Sequence, residues 1–216
     1  MRCRRSARPS SRSIRPLCPT TTPARSSIAD PGVAGLLLAA GAGRRFGGPK
    51  ALADTGDGPW VLRALSTLRS LDPVLVVTGA AAQEVEDVLP PGTAVVRNPE
   101  PETGMGGSLR LGLQALAARP DLLAVLVMLV DLPDVDIRVV DRVAAAAVVH
   151  GPSVLARASY GGVPGHPVLL GRDHLAAIAA SATGDRGARD HLARGDVVLV
   201  ECGDLATGLD VDEPPA

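Results

Sequence analysis

Residues 33–50 read VAGLLLAAGAGRRFGGPK and join an almost continuous apolar run to a glycine-rich segment. The apolar run predicts a strand that is covered on both faces, as in a parallel sheet. The segment after it places four glycines within eight residues, at Gly41, Gly43, Gly47 and Gly48. Glycines let successive backbone N–H groups converge on an anion without a Cβ in the way. The stretch therefore predicts a strand followed by an anion-binding loop.

Cations accompany these glycines at Arg44, Arg45 and Lys50, which makes a triphosphate the expected ligand. Lys50 is the only lysine of the chain, whereas arginine fills every other such position, so a compact ammonium is indicated there. Two better-known glycine-rich loops do not fit. A dinucleotide-binding fingerprint needs glycine where Phe46 stands, and a Walker A loop needs Ser or Thr where Ala51 follows the lysine.

Short apolar runs alternate with helical patterns along the rest of the chain. The candidate strands are Val33–Leu38, Val74–Thr78, Ala94–Val96, Val125–Val130, Val154–Ala156 and Val197–Val200. Apolar residues at helical spacing predict helices around residues 61–68, over Met105–Leu116 and over Val135–Val149. This alternation is typical of a single-domain, Rossmann-like α/β fold of three layers with a mainly parallel central sheet. Ligands of such folds bind outside the carboxyl ends of the strands.

The first 30 residues differ from the rest in composition, because they are rich in Arg, Ser and Pro and carry seven arginines against one acid. A segment of this kind lacks the apolar surface needed to order itself. Residues 1–30 are therefore predicted to be a disordered extension, and residues 31–216 a single domain. An organellar transit peptide or an incorrectly assigned start would have a similar composition.

The charge and composition of the remaining chain exclude several classes of partner. Residues 31–216 carry 15 cationic and 22 acidic side chains and hold the chain's three aromatic residues, Phe46, Trp60 and Tyr160. Such a body offers neither a basic surface nor stacking platforms, so no nucleic-acid partner is expected. The longest apolar stretch, Leu122–Val130, is too short to cross a bilayer. Three cysteines without metal-ligand spacing indicate a reducing compartment, and a cytoplasmic location is expected.

Asp131 is the candidate metal ligand. It follows the most hydrophobic run of the chain, so its carboxylate is expected at the ligand-binding edge of the sheet. A carboxylate oxygen there suits Mg²⁺, which binds protein carboxylates together with substrate phosphates. The alternative is a helix N-cap, although Asp134 and Asp136 are better placed for that role.

Residues 98–108 supply further polar groups near the expected site. Gly104 and Ser108 belong to the start of the predicted helix at Met105, where free N–H groups favour an anionic substrate group. Asn98 is a candidate hydrogen-bond partner of the nucleotide or ribose, with an ordinary Asn-Pro turn as the alternative.

The loop resembles the signature Leu-Ala-Ala-Gly-x-Gly-x-Arg-x-Gly-x-x-Lys of the nucleotidyltransferase superfamily, in particular its MobA-like branch, which includes the molybdenum cofactor cytidylyltransferases. Its fixed positions are filled here by Leu38, Ala39, Ala40, Gly41, Gly43, Arg45, Gly47 and Lys50. Further segments match in order and spacing at residues 98–99, 104–110, 165–167, 184–189 and 210–214. Two positions depart from the family: Val130 replaces a common glycine, and Glu213 replaces the usual threonine.

The resemblance implies a Mg²⁺-dependent enzyme that moves a nucleoside monophosphate, CMP from CTP in this branch, onto a phosphate-bearing acceptor such as molybdopterin or the molybdenum cofactor. Pyrophosphate would leave, and a molybdoenzyme that receives the cofactor is an expected partner. Nucleotide contacts are expected from Leu38, Ala39, Ala40, Gly41, Gly43, Asn98, Gly104 and Ser108, and catalytic roles from Lys50, Arg45 and Asp131.

The resemblance also implies a second metal carboxylate from the segment that contains Asp210 and Asp212. These two aspartates are two apart on a predicted final strand, so one is expected to face the site and the other to face away. The sequence leaves open which one binds metal. His166 and Arg189 are candidate contacts of the acceptor, with a turn residue and a surface cation as the respective alternatives.

Two other functions remain compatible with the sequence. One is a nicotinamide-dependent oxidoreductase, since members of the superfamily have been assigned such activity on pigment-like heterocycles, but the failed dinucleotide fingerprint argues against it. The other is a non-catalytic protein that binds a nucleotide or cofactor and hands it to a partner enzyme. The full set of cationic and acidic positions argues against that second function.

Overall fold

The computed structural model describes residues 32–213, so the predicted extension at residues 1–30 lies outside the described residues. Within this range the strands are β1 (Val33–Ala39), β2 (Val74–Thr78), β3 (Ala94–Arg97), β4 (Ala124–Leu129), β5 (Leu155–Tyr160), β6 (Val163–Gly171) and β7 (Val198–Glu201). The helices are α1 (Trp60–Thr67), α2 (Ala82–Val88), α3 (Met105–Ala117), α4 (Ile137–Ala144), α5 (Ala146–His150), α6 (Arg172–Ser181) and α7 (Arg189–Leu192). No helix in residues 32–213 combines the length and apolarity that a membrane crossing requires.

The strands form one seven-stranded sheet in the order β3-β2-β1-β4-β6-β5-β7. β1 lies near the centre and pairs in parallel with β2 and β4. β6 is antiparallel to both of its neighbours, while β5 and β7 are parallel to each other. The predicted α/β fold with a mainly parallel sheet is therefore confirmed.

Two hydrophobic cores cover the two faces of the sheet. Alternate residues of β1 point to opposite faces, so Leu37 packs into one core and Leu36 into the other. The first core contains residues of α1, α2, α4 and α5, and the second contains residues of α3 and α6. Gly112 of α3 allows close packing on the sheet, because a Cβ there would lie 2.5 Å from the Leu36 side chain. The chain thus has the predicted three layers.

The sequence did not predict β6, and its composition explains why. Its residues Val163–Gly171 include Pro164, Gly165 and Pro167, which are unfavourable in a regular strand. The structure accommodates them where the pairing of β5 with β6 changes register: Gly165, His166 and Pro167 lie opposite the single residue Ala158. Regular pairing with β4 begins at Val168.

Two further predictions about elements were wrong. The helix predicted over Val135–Val149 is divided at Ala145 into α4 and α5. Asp210 and Asp212 do not lie on a strand: β7 ends at Glu201, and the described residues after it, 202–213, have no regular secondary structure. Helices α2, α6 and α7 were not predicted, because they are short or lack a clear apolar stripe.

Candidate active site

A cavity of about 720 Å³ opens at the carboxyl ends of β1 and β4. It is lined by residues 38–46 and Lys50 of the glycine-rich segment, by the start of α3 and by three aspartates, Asp131, Asp185 and Asp212. Most of the predicted site residues therefore meet in one place. Those that line the cavity are Leu38, Ala39, Ala40, Gly41, Gly43, Arg45, Lys50, Gly104, Ser108, Asp131 and Asp212.

The glycine-rich loop is closed by its own backbone. Gly48 N–H donates to the carbonyl of Gly43 at 3.2 Å, and Gly43 has a φ of 57°. A Cβ on Gly43 would lie 1.8 Å from the carbonyl oxygen of Gly48, so no other residue fits this turn. The Phe46 ring lies 5.2 Å from the ring of Trp60, which attaches the loop to α1. The loop is thus held beside the cavity by local packing.

Three carboxylates converge at one edge of the cavity. One carboxylate oxygen from each of Asp131, Asp210 and Asp212 lies within 4.8 Å of the others. The expectation that one of Asp210 and Asp212 faces away was wrong, because side chains alternate only in a strand and this segment is irregular. The segment is positioned by Val211, whose N–H donates to the carbonyl of Asp131 at 3.1 Å. Both aspartates can therefore contribute to the same site.

Asp131 is not the N-cap of the helix that follows it. Asp136 has that role, since its Oδ1 accepts the N–H of Arg138 at 2.8 Å. The Oδ1 atom of Asp131 is buried and has no hydrogen-bond donor among the described residues. A buried carboxylate oxygen without a donor is costly, and a cation would stabilise it. This observation favours the metal-ligand interpretation of Asp131.

Lys50 lies among these carboxylates. Its Nζ donates to Asp131 Oδ2 at 2.9 Å and to Asp212 Oδ1 at 2.8 Å. Burial alone would lower the pKa of Lys50. The hydrogen bonds with Asp212 and Asp131 outweigh this effect, and the pKa of Lys50 is raised. The same contact lowers the pKa of Asp212, with a smaller contribution from Arg45. The ammonium therefore balances part of the negative charge that the three aspartates concentrate here.

The start of α3 forms another part of the cavity wall. Asn98 is buried and does not line the cavity; its Nδ2 donates to Ser108 Oγ at 3.0 Å, and its Oδ1 accepts the N–H of Glu100. These contacts correspond to the turn alternative, with Ser108 between Asn98 and the cavity. Sequence reasoning missed Asp185, whose Oδ1 would lie 2.7 Å from a Cβ on Gly104. Its place between Gly184 and Gly187 was the sequence signal that could have identified it as a residue of the cavity.

His166 and Arg189 lie together on a second, smaller cavity of about 100 Å³. This cavity shares Leu38 and Met105 with the larger one. Removal from water and the nearby Arg157 lower the pKa of His166 to about 4, against a smaller opposing effect of Asp131 and Asp210. His166 is therefore neutral near pH 7.

A pH-dependent stability follows from His166. Its pKa is depressed in the folded chain, so the unfolded chain takes up a proton that the folded chain resists, and stability is lost as the pH falls from 6.5 towards about 4. We expect the free energy of unfolding of the wild type to decline across this window more steeply than that of His166→Gln. Urea unfolding at a series of pH values measures it. Parallel declines in the two proteins would show that His166 is not the source.

The fold, the glycine-rich loop and the carboxylate cluster define an α/β protein of the nucleotidyltransferase class. Residues 35–198 match the sequence model of the MobA-like NTP transferase domain, and the chain belongs to this family. The resemblance noted in the sequence is thereby confirmed.

The chain is also similar to individual known proteins. The chain is 36% identical over 196 residues to nicotine blue oxidoreductase of Paenarthrobacter nicotinovorans, covering 84% of this chain and 93% of that protein. It is similar in structure to Rv0371c of Mycobacterium tuberculosis H37Rv, with a TM-score of 0.68, 27% identity and coverage of 84% and 93% of the two chains. Rv0371c is also known in complex with manganese. Molybdopterin-guanine dinucleotide biosynthesis protein A of Archaeoglobus fulgidus shares the fold, with a TM-score of 0.62, 15% identity and coverage of 83% and 92%.

Proposed function

We propose that this protein transfers CMP from CTP to the terminal phosphate of an acceptor, molybdopterin or its molybdenum-loaded form, and releases pyrophosphate. The observation that carries the proposal is that the glycine-rich loop, Lys50, Asp131 and Asp212 line one cavity of about 720 Å³, with the carboxylate of Asp210 close to the other two. A glycine-rich loop with cations binds a triphosphate, and a group of carboxylates binds a divalent cation. The cavity also has room for more than a triphosphate alone.

The loop and its cations would hold the triphosphate. Backbone N–H groups around Gly41 and Gly43 face an anion without interference from side chains. Arg45 lines the same cavity and is exposed, so it is free to move onto a phosphate oxygen. Lys50 would stabilise the charge that develops on the phosphates while it remains close to Asp131 and Asp212.

Asp131, Asp210 and Asp212 fit a divalent cation, which we propose to be Mg²⁺. They offer three oxygen donors close together, and Asp131 Oδ1 is buried without a hydrogen-bond donor among the described residues. When bound, the ion supplies neutralisation of charge on the phosphate oxygens. The complex of Rv0371c with manganese supports a divalent cation in this family.

The attacking group would need positioning more than a general base. A terminal phosphate oxygen is already anionic near neutral pH, so it can attack the α-phosphorus without giving up a proton to the enzyme. The residues of the cavity would align the two phosphates and balance their charge. We also propose that the protein works in the cytoplasm and that a molybdoenzyme receives the product.

The test is pyrophosphate release from CTP in the presence of Mg²⁺ and molybdopterin. We expect release that requires all three components.

A second measurement concerns the base: the Leu-Ala-Ala-Gly form of the loop, at residues 38–41, resembles that of the cytidylyltransferases. The kcat/KM for CTP is therefore expected to exceed that for GTP by about tenfold or more. Equal values for the two nucleotides would contradict the assignment of the base.

A second candidate function comes from one relative. The 36% identity to a protein named nicotine blue oxidoreductase favours an NAD(P)H-dependent reduction of a pigment-like heterocycle. Loss of NADPH absorbance with such a substrate, without pyrophosphate release from any nucleoside triphosphate, would favour this function. Nucleotide binding with neither reaction would favour a non-catalytic carrier.

A further inference from the structure

The smaller cavity beside the proposed nucleotide site is a distinct feature of the fold. It lies between α3, β6 and residues 187–192, and Leu38 and Met105 separate it from the larger cavity, because they line both. Most of its wall is apolar. The apolar side chains beyond those two are Leu109, Val127, Val168, Leu170, Ala188 and Leu192.

The polar side chains of this cavity are Arg157, His166 and Arg189, and no acidic residue lines it among the described residues. Arg157 is half-buried and its Nε donates to the carbonyl of Gly165 at 3.0 Å. Its two Nη groups have no hydrogen bond or ion pair with any residue in the described part of the chain. Burial and the nearby Arg189 lower the pKa of Arg157. Two neighbouring cations in a mainly apolar wall favour an anion between them.

The backbone around these cations is held by close contacts. The register change between β5 and β6 brings the Gly165 carbonyl to Arg157, and the Tyr160 hydroxyl donates to the carbonyl of His166 at 2.7 Å. A Cβ on Gly165 would lie 2.7 Å from the Tyr160 ring, so only glycine fits there. An irregular strand pairing of this kind often directs side chains into a binding site.

The segment that carries Arg189 is fixed against α3 in a similar way. A Cβ on Gly106 would lie 2.6 Å from the backbone of Thr183, so this segment lies directly against the helix. Gly187 has a φ of 52° and lies close to the Met105 methyl group. The cationic groups therefore belong to packed elements on two sides of the cavity.

We propose that this cavity binds the acceptor through an ionised group other than the phosphate that reacts, and that Arg157 and Arg189 pair with that group. The part of the acceptor that enters this cavity is then an ionised group attached to an apolar surface. His166 contributes a neutral hydrogen-bonding group at the same place. The identification of the ligand as the acceptor rests on the proposed transfer reaction. Binding of an anion to the cavity can be measured separately from that reaction.

The test uses para-fluorobenzoate, an apolar-bodied organic anion, as the probe, and follows its binding to the full chain by fluorine NMR. We expect Arg157→Gln and Arg189→Gln each to raise the Kd of the probe by about 10- to 100-fold, as loss of a hydrogen bond to a charged group predicts. The neutral para-fluorobenzyl alcohol should be affected little. Arg119→Gln is the matched control, because Arg119 is exposed and pairs with Asp121.

Nucleotide binding is followed in the same samples through Trp60, the only tryptophan, whose ring lies beside Phe46 of the loop. CTP with Mg²⁺ should change the Trp60 fluorescence and leave the probe bound. The inference is overturned if millimolar probe does not bind the wild type, if CTP displaces the probe, or if both glutamine variants bind it as the wild type does. Arg189 is exposed, so its variant tests the inference even if Arg157→Gln fails to fold. Probe binding without any change in Trp60 fluorescence on addition of CTP and Mg²⁺ would instead contradict the proposed transfer reaction.

Discussion

Asp131→Asn is expected to lower kcat by on the order of 10² to 10³ or more while the fold is retained, because it removes a charge from the proposed metal site. The melting temperature should stay close to that of the wild type. The substitution loses the ion pair with Lys50 but relieves repulsion among three close carboxylates, and the backbone carbonyl at this position still accepts the N–H of Val211. Pyrophosphate release at saturating CTP and a thermal melt measure the two effects.

Asp121→Asn is the matched control for this variant. Asp121 precedes β4, whereas Asp131 follows it, and Asp121 is an exposed partner of Arg119. Its change to asparagine removes the same charge far from the cavity, so the turnover should equal that of the wild type. Near-normal turnover of Asp131→Asn at ordinary Mg²⁺ concentrations would show that Asp131 is not the metal ligand.

Lys50→Ala is expected to lower kcat by on the order of 10² to 10³, the range for loss of one preorganised charge-stabilising group. Lys50→Arg should recover only part of the activity. The ammonium fits between Asp131 Oδ2 and Asp212 Oδ1 at 2.9 and 2.8 Å, and a planar guanidinium is longer and broader than this site. The deciding measurement is the turnover of Lys50→Arg compared with that of the wild type. Equal rates would show that Lys50 has only a structural role.

A binding measurement separates these two roles of Lys50 further. In the absence of nucleotide the ammonium competes with any divalent cation for the same carboxylates, so Lys50→Ala should bind Mn²⁺ more tightly than the wild type does. Lower turnover combined with tighter metal binding is a result that simple unfolding cannot produce. Arg119→Ala, which removes an exposed cation, should change neither quantity.

The parts of the fold that the sequence predicted are those that depend on residues close together in the chain. The apolar runs of β1 and β4 are covered by helices on both faces, so burial alone marks them as strands. The glycine-rich loop was predictable because the backbone itself requires glycine at positions such as Gly43. The position of Asp131 at the cavity was predictable because it lies two residues after a buried strand.

The parts that the sequence did not predict depend on distant segments. β6 contains two prolines and a glycine, and its position is determined by pairing with β4 and β5. The path after β7 is set by the contact between Val211 and Asp131, which local spacing does not encode. For the same reason, the spacing of Asp210 and Asp212 gave the wrong geometry, and Arg157 could not be recognised as a cavity residue.

The most direct test of the proposed reaction is to follow the phosphorus atoms of CTP. Wild-type protein is incubated with Mg²⁺, molybdopterin and CTP that carries a radioactive label at either the α- or the γ-phosphorus. Nucleotidyl transfer predicts that the α-label appears in the acceptor product and that the γ-label appears in pyrophosphate. Transfer of the γ-label to the acceptor, or transfer of neither label, would contradict the account.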